Sequence, residues 1–171
     1  MADEKRTSER KLLETEVTFH TGDDIYMANS VDISDTWRAY FKLVEKLVDT
    51  RLFDVVSHLD IPKKFGYRPA EKPLKEMVQP ALDRVAAAGM GMELNTSGLR
   101  KPVGEIYPSA LIVSLARERD IPICFGSDAH SPQDVGKGFP AAVQLARDAG
   151  YTHYFRAGKR RKYLVPLPET L

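Results

Sequence analysis

Residues 121–130 read IPICFGSDAH: an apolar run closes on glycine and is followed at once by a carboxylate and an imidazole. Working outward, the same pattern recurs upstream. Leu52 to Ser57 (LFDVVS) leads into His58-Leu59-Asp60, and Gly91 to Asn95 (GMELN) leads into Thr96-Ser97-Gly98-Leu99-Arg100. The hydrophobicity of these runs is nearly continuous rather than alternating, which predicts strands buried on both faces, as parallel strands covered by helices are. Their end residues His58, Asn95 and Asp128 stand 37 and 33 residues apart, room for one βα unit each. The fold class predicted is α/β with a parallel sheet. Right-handed crossovers then bring all the carboxyl ends to one side, where such folds carry their sites.

The segments between the runs carry helix signals. Trp37, Tyr40, Phe41, Val44, Leu47 and Val48 recur at steps of three and four behind Ser34, a candidate N-cap. Pro80 and Pro108 suit first-turn positions, and Gly89 and Gly150 suit left-handed C-terminal caps. Lys159-Arg160-Arg161-Lys162 reads as an exposed turn between a strand around Tyr154, which also holds His153, and the closing YLVPL. Near the start, Glu16 to His20 (EVTFH) is β-prone and ends in the turn formers Thr21-Gly22-Asp23-Asp24. Residues 1–11 lack periodicity and read as a disordered lead-in, with one domain over 12–171.

Composition narrows the classes. The 171 residues hold 25 Lys+Arg against 24 Asp+Glu, a formal charge of +1, which disfavours a protein that coats nucleic acid. A hydrophobic fraction of 43% excludes a mostly disordered chain. Cys124 is the sole cysteine, so neither an intrachain disulfide nor a four-cysteine zinc module can form, and its apolar run makes it a small core residue. Met90 and Met92 read as core filling. The opening MADEKRTSERKLL has no apolar core of signal length, and no stretch has 18 consecutive apolar residues. The expectation is a cytoplasmic protein with no membrane segment.

Asp128 and His130 join a hard oxygen donor to a borderline nitrogen donor in one loop, a pairing that suits Zn, Mn or Fe. His58 and Asp60 repeat it at an equivalent strand end, and Glu16 and His20 flank a third candidate strand. Arg100 follows a glycine-containing loop beside Asn95, and Lys63, Lys64 and Lys101 lie near. Cations beside metal donors suit a phosphate monoester, since arginine clamps the oxyanion in bidentate fashion. Taken one by one, the lysines also read as ordinary solvated surface charge.

LFDVVSHLDIPKKFG, GMELNTSGLRKPVGEIYPS and IPICFGSDAH, in this order and spacing, resemble histidinol-phosphatases of the PHP superfamily. The resemblance runs from about Asp32 to near Arg161, and EVTFH at 16–20 is similar to the family's G-x-E-x-D-x-H strand. It implies a distorted (β/α)7 TIM-like barrel and a cluster of divalent Zn, Mn or Fe ions. It also implies hydrolysis of L-histidinol phosphate in histidine biosynthesis by a metal-bound hydroxide. By position it implies metal ligation by Glu16, His58, Asp128 and His130, with Asp128 and His130 catalytic, and phosphate binding by Arg100 and Lys64. The chain has four histidines and no H-x-H, and Ser30-Val31-Asp32 stands where the family has S-V-H. A closed barrel commonly needs about 250 residues, so the expectation is a barrel incomplete on its N-terminal side, with an open edge that favours self-association. Two rival expectations are a catalytically inactive remnant that binds metal or a phosphorylated ligand, and a PHP nuclease, which the near-neutral charge disfavours.

Overall fold

The structure is a computed structural model that describes residues 33–159 and 161–169. Residues 1–11, the run at 16–20 with Glu16 and His20, and Ser30-Val31-Asp32 lie outside the described residues. Helix α1 (Ile33–Asp49) presents Trp37, Phe41 and Val48 to the core, the face that its spacing predicts. Its first residue is Ile33, so Ser34 sits within the first turn and not at the cap. Three parallel strands follow, β1 (Val55–Val56), β2 (Gly91–Asn95) and β3 (Ile123–Gly126), paired in the order β1-β2-β3. The connections carry α2 (Glu71–Ala87) and α3 (Ala110–Arg117), and α4 (Phe139–Asp148) follows β3. An antiparallel hairpin, β4 (His153–Gly158) and β5 (Arg161–Pro166), closes the described chain.

Alternation along the strands divides the sheet into two unlike faces. Val56, Met92, Leu94 and Ile123 join the helices in one core with Leu82, Val85, Ile112 and Ala146, none more than 4% exposed. On the other face lie Glu93, Asn95, Cys124 and Gly126, with Glu93 opposite Cys124 and Asn95 opposite Gly126. Burial pushes the Cys124 thiol up to about 12, with the Glu93 charge adding to it, so the thiol is no nucleophile. Phe155 of β4 covers Gly91, where a Cβ would collide with its ring. Lys162 donates to the Gly89 carbonyl and lies over the Phe155 ring, which sets the basic turn of the hairpin at the amino end of β2.

Several sequence expectations are corrected. The run at 52–57 contributes only Val55 and Val56 to the sheet, and Leu52 and Phe53 are exposed. Pro80 lies inside α2, whose first turn holds Pro73 instead; it sits on the exposed side, where water can take the carbonyl that a proline leaves unpaired. Pro108, after a cis peptide, precedes the Ser109 cap of α3 and does not enter its first turn. Gly89 and Gly150 do take the left-handed conformation past their helices, at φ 64° and 85°. No helix among the described residues is long and apolar enough to cross a membrane.

Candidate functional site

Parallel register fixes where the loops leave the sheet. Val56 pairs with Met92 and Asn95 with Gly126, so the segments starting at Ser57, Thr96 and Ser127 emerge at the same end. Two of the residues there are held in the left-handed region although they are not glycine: His58 at φ 30° and Asp128 at φ 47°. Backbone strain of this kind is kept only where the surroundings enforce it, and it gathers at functional sites.

Arg100 connects the second loop to the third. Its Nη2 donates to the carbonyls of Ser127 (2.8 Å) and Asp128 (3.3 Å), and its Nε lies 3.6 Å from Asp134 Oδ1. Nη1 is buried and has no partner among the described residues. The Asp134 carboxyl is held below the usual carboxylate range, by its hydrogen bond from Lys137 first and by Ser131 and Arg100 besides. Asp128 Oδ1 stands 3.5 Å from His130 Nε2, and the His130 side chain is 88% exposed. Arg100 thus lies against the backbone of the loop that carries Asp128 and His130. Lys64 lies on the 3-10 turn Ile61–Phe65 with its ammonium over the Phe65 ring, 5.1 Å from the centroid.

Glu93, which sequence reasoning passed over as part of a strand, is a junction of this rim. Its Oε2 accepts from the Ser57 hydroxyl, from Asn95 Nδ2 (3.0 Å) and from the His58 N–H (3.4 Å). Asn95 is used at both ends, since its Oδ1 also accepts from Ser97 N at 2.9 Å and caps the turn Thr96–Arg100. A lone carboxylate among the apolar residues of GMELN was the available signal.

Lys63 corrects an expectation. It is no solvated surface charge: its side chain is 1% exposed, and its Nζ lies 3.0 Å from Asp60 Oδ2 and 2.7 Å from the Ile106 carbonyl oxygen. Asp60 also accepts from Ser109 N at 2.9 Å, so the pair ties the loop after β1 to the segment before α3. Burial pushes the Asp60 carboxyl up, against the downward pull of Lys63 and Ser109. Asp60 is therefore buried in this pair, with its side chain 0% exposed. Glu105 bridges Lys63 to Arg68, at 3.2 Å and 2.7 Å.

The donor chemistry at the rim fits a borderline divalent ion. Asp128 and His130 offer oxygen and nitrogen side by side, and the His58 Nδ1 is buried with no partner among the described residues. Among the described residues no three His, Cys, Asp or Glu side chains are grouped closely enough to hold a metal, whereas catalytic zinc takes three protein ligands.

Comparison with known proteins finds relatives for the chain. A family model described as PHP-associated matches residues 110–147, from α3 to the end of α4. A protein of Deinococcus radiodurans named a probable histidinol-phosphatase is 45% identical over 119 residues, 70% of this chain and 45% of that protein. The histidinol-phosphatase of Bacillus subtilis is 35% identical over 94 residues, 52% of this chain and 35% of its own. The crystal structure of a protein assigned as a histidinol phosphatase from Listeria monocytogenes superposes with a TM-score of 0.59 at 30% identity, over 64% of this chain and 44% of that one. The chain therefore spans less than half the length of these relatives. It is related to the histidinol-phosphatases of the PHP superfamily.

Proposed function

We propose that this chain takes part in metal-dependent hydrolysis of a phosphate monoester, with L-histidinol phosphate as the substrate and a cytoplasmic setting. The observation that carries the reading is Arg100: tied to the Ser127 and Asp128 carbonyls, it fixes a guanidinium beside the Asp128/His130 pair and keeps Nη1 unspent. A planar guanidinium so held is preorganised to clamp a phosphoryl group, and fixing it beforehand lowers the entropy lost on binding. Lys64 adds a second cation in this reading. In this reading Asp128 and His130 would supply donors to Zn, Mn or Fe, with His58 and Glu16 as further ligands of the cluster, within a distorted (β/α)7 barrel of which residues 12–171 form a part. Such an ion supplies Lewis acidity and an activated water. Strain at His58 and Asp128 sets the two side chains before any ligand arrives.

A second reading has an observation of its own. Because the described residues group no three donors, the chain binds a phosphorylated ligand without turning it over. One experiment separates the two: phosphate release from histidinol phosphate with added Mn, beside thermal stabilisation by the same ester, in the wild type and in Arg100→Ala. Metal-dependent release that Arg100→Ala lowers by about a hundredfold in kcat/KM, the scale of a lost charged hydrogen-bond pair, supports hydrolysis. Stabilisation without release supports the binder, and neither effect refutes both.

A further inference from the structure

We infer that Glu93 is a positioning residue that sets the His58 turn, and that Gly126 is glycine so that Glu93 can do so. The inference deepens the phosphatase reading, on which it rests only for the task given to His58. Glu93 is half-buried on the face of the sheet that does not pack on the helices, and one oxygen does three jobs. Oε2 accepts from Ser57 and from the His58 N–H across the β1–β2 seam, and from Asn95 two residues along its own strand. The His58 N–H it accepts belongs to a residue at φ 30°, a conformation that must be enforced from outside because a side chain with a Cβ resists it. The opposite flank is shaped to match. A Cβ at Gly126 would collide with Glu93 Oε1 and stand 2.7 Å from its Cδ, so any larger residue there evicts the carboxylate. Gly126 has no left-handed φ, so this close approach, and not backbone freedom, is what its lack of a side chain serves.

Glu93 thus joins three strand ends: it fastens Ser57 and His58, just past β1, sits on β2 and fills the gap over β3. Its carboxylate has no ion-pair partner among the described residues, and its hydrogen bonds are spent on backbone and neutral groups. A partner that orients a ligand residue is commonly worth ten- to a hundredfold in metal affinity.

The test uses the full chain, first without metal and then titrated with zinc. It follows the His58 amide exchange rate and the imidazole ¹⁵N shifts of His58, with His153 as an internal control. Glu93→Ala and Gly126→Ala are each expected to speed His58 exchange at least about tenfold, move its ring signals and weaken zinc binding by about tenfold or more. Glu93→Gln, which keeps an acceptor oxygen, restores most of the loss. The double variant is no worse than Glu93→Ala, because the added methyl then has no carboxylate to displace. Variants that melt earlier while His58 exchange and ring signals stay those of the wild type overturn the inference, as does additivity in the double variant. Should Glu93→Ala fail to fold, Gly126→Ala and Glu93→Gln decide. A wild type that binds no zinc counts against the phosphatase reading alone, and the metal-free His58 signals still judge Glu93.

Discussion

Replacing Lys63 by methionine tests whether the ion pair behind the rim is as dry as its geometry says. Lys63 is 1% exposed and Asp60 0%, and their charged atoms meet at 3.0 Å. Methionine fills much of the lysine volume but leaves Asp60 charged and buried, with Ser109 as its remaining hydrogen-bond partner among the described residues. Removing one partner of a buried pair costs about 3–5 kcal/mol, because the other charge stays desolvated. At the 2–4 °C per kcal/mol expected of a domain this size, the melting midpoint falls by about 6–20 °C. The companion variant Asp60→Asn/Lys63→Met removes both charges and keeps an acceptor for Ser109 N, so it recovers most of the loss, since a neutral well-packed replacement of a buried pair is often nearly free. Burial already raises the Asp60 carboxyl, and loss of Lys63 raises it further. Protonation then relieves the stranded charge, so the deficit of Lys63→Met against wild type shrinks as the pH falls. Circular dichroism melts of the wild type and both variants over a pH series suffice. A shift below about 2 °C for Lys63→Met, the range of an ordinary surface substitution, would refute the reasoning and return Lys63 to the solvent.

Two further outcomes follow from neighbouring contacts. Gly98→Ala places a Cβ 2.9 Å from Tyr107 Cε2 and against the Glu105 carbonyl oxygen; overpacking of this kind costs about 1–3 kcal/mol, and an unchanged urea midpoint would show that the 96–100 turn is not seated on Tyr107. The Glu105 carboxyl is held below its ordinary 4.5 by the hydrogen bond from Arg68 first and by Lys63 as well. Because its folded value is depressed, its contribution is complete above 4.5 and is lost as the pH falls through the folded value. Arg68→Ala therefore destabilises the chain at neutral pH and flattens the acid limb of its stability curve below 4.5; an acid limb that stays the same counts against the bridge.

How far the sequence carried the reading depended on which force decided each residue. Met92 and Leu94 on one side and Ile123 after them are placed by burial, and burial leaves a continuous apolar signature, so β2 was legible to the residue. β1 was overread because Leu52 and Phe53 look like strand interior, yet strand length is set by the neighbour that can pair, and β2 begins at Gly91 opposite Val55. Lys63 was misread for a related reason. A lysine in a polar loop is normally solvated, and only the meeting of residues about forty positions apart, Lys63 with Glu105 and Ile106, makes it a buried one. Asp128, His130 and Arg100 stood out in the sequence because polar chemistry at the end of an apolar run is a local pattern. Glu93 was not, because its meaning depends on Gly126 one strand away.

Asp128 offers a way to weigh what the rim costs the fold. It sits at φ 47° with its side chain 39% exposed, so a substitution there changes backbone preference more than packing. At a right-handed or extended position alanine is favoured over glycine by about 0.5–1 kcal/mol. In the left-handed region the order inverts, since a Cβ there costs about 1–2 kcal/mol and glycine has none; aspartate tolerates it better than alanine does. Asp128→Gly is therefore expected to be more stable than Asp128→Ala by about 1 kcal/mol in urea denaturation, and at least equal to the wild type, while both lose the donor beside His130. If alanine proves the more stable of the two, the loop relaxes without cost and the strain is not a property of the site. If glycine wins, the wild-type chain keeps a less favourable residue at this turn, and the carboxylate itself is the remaining reason for it, which is the stability–function compromise expected where a side chain must be aimed before its ligand arrives.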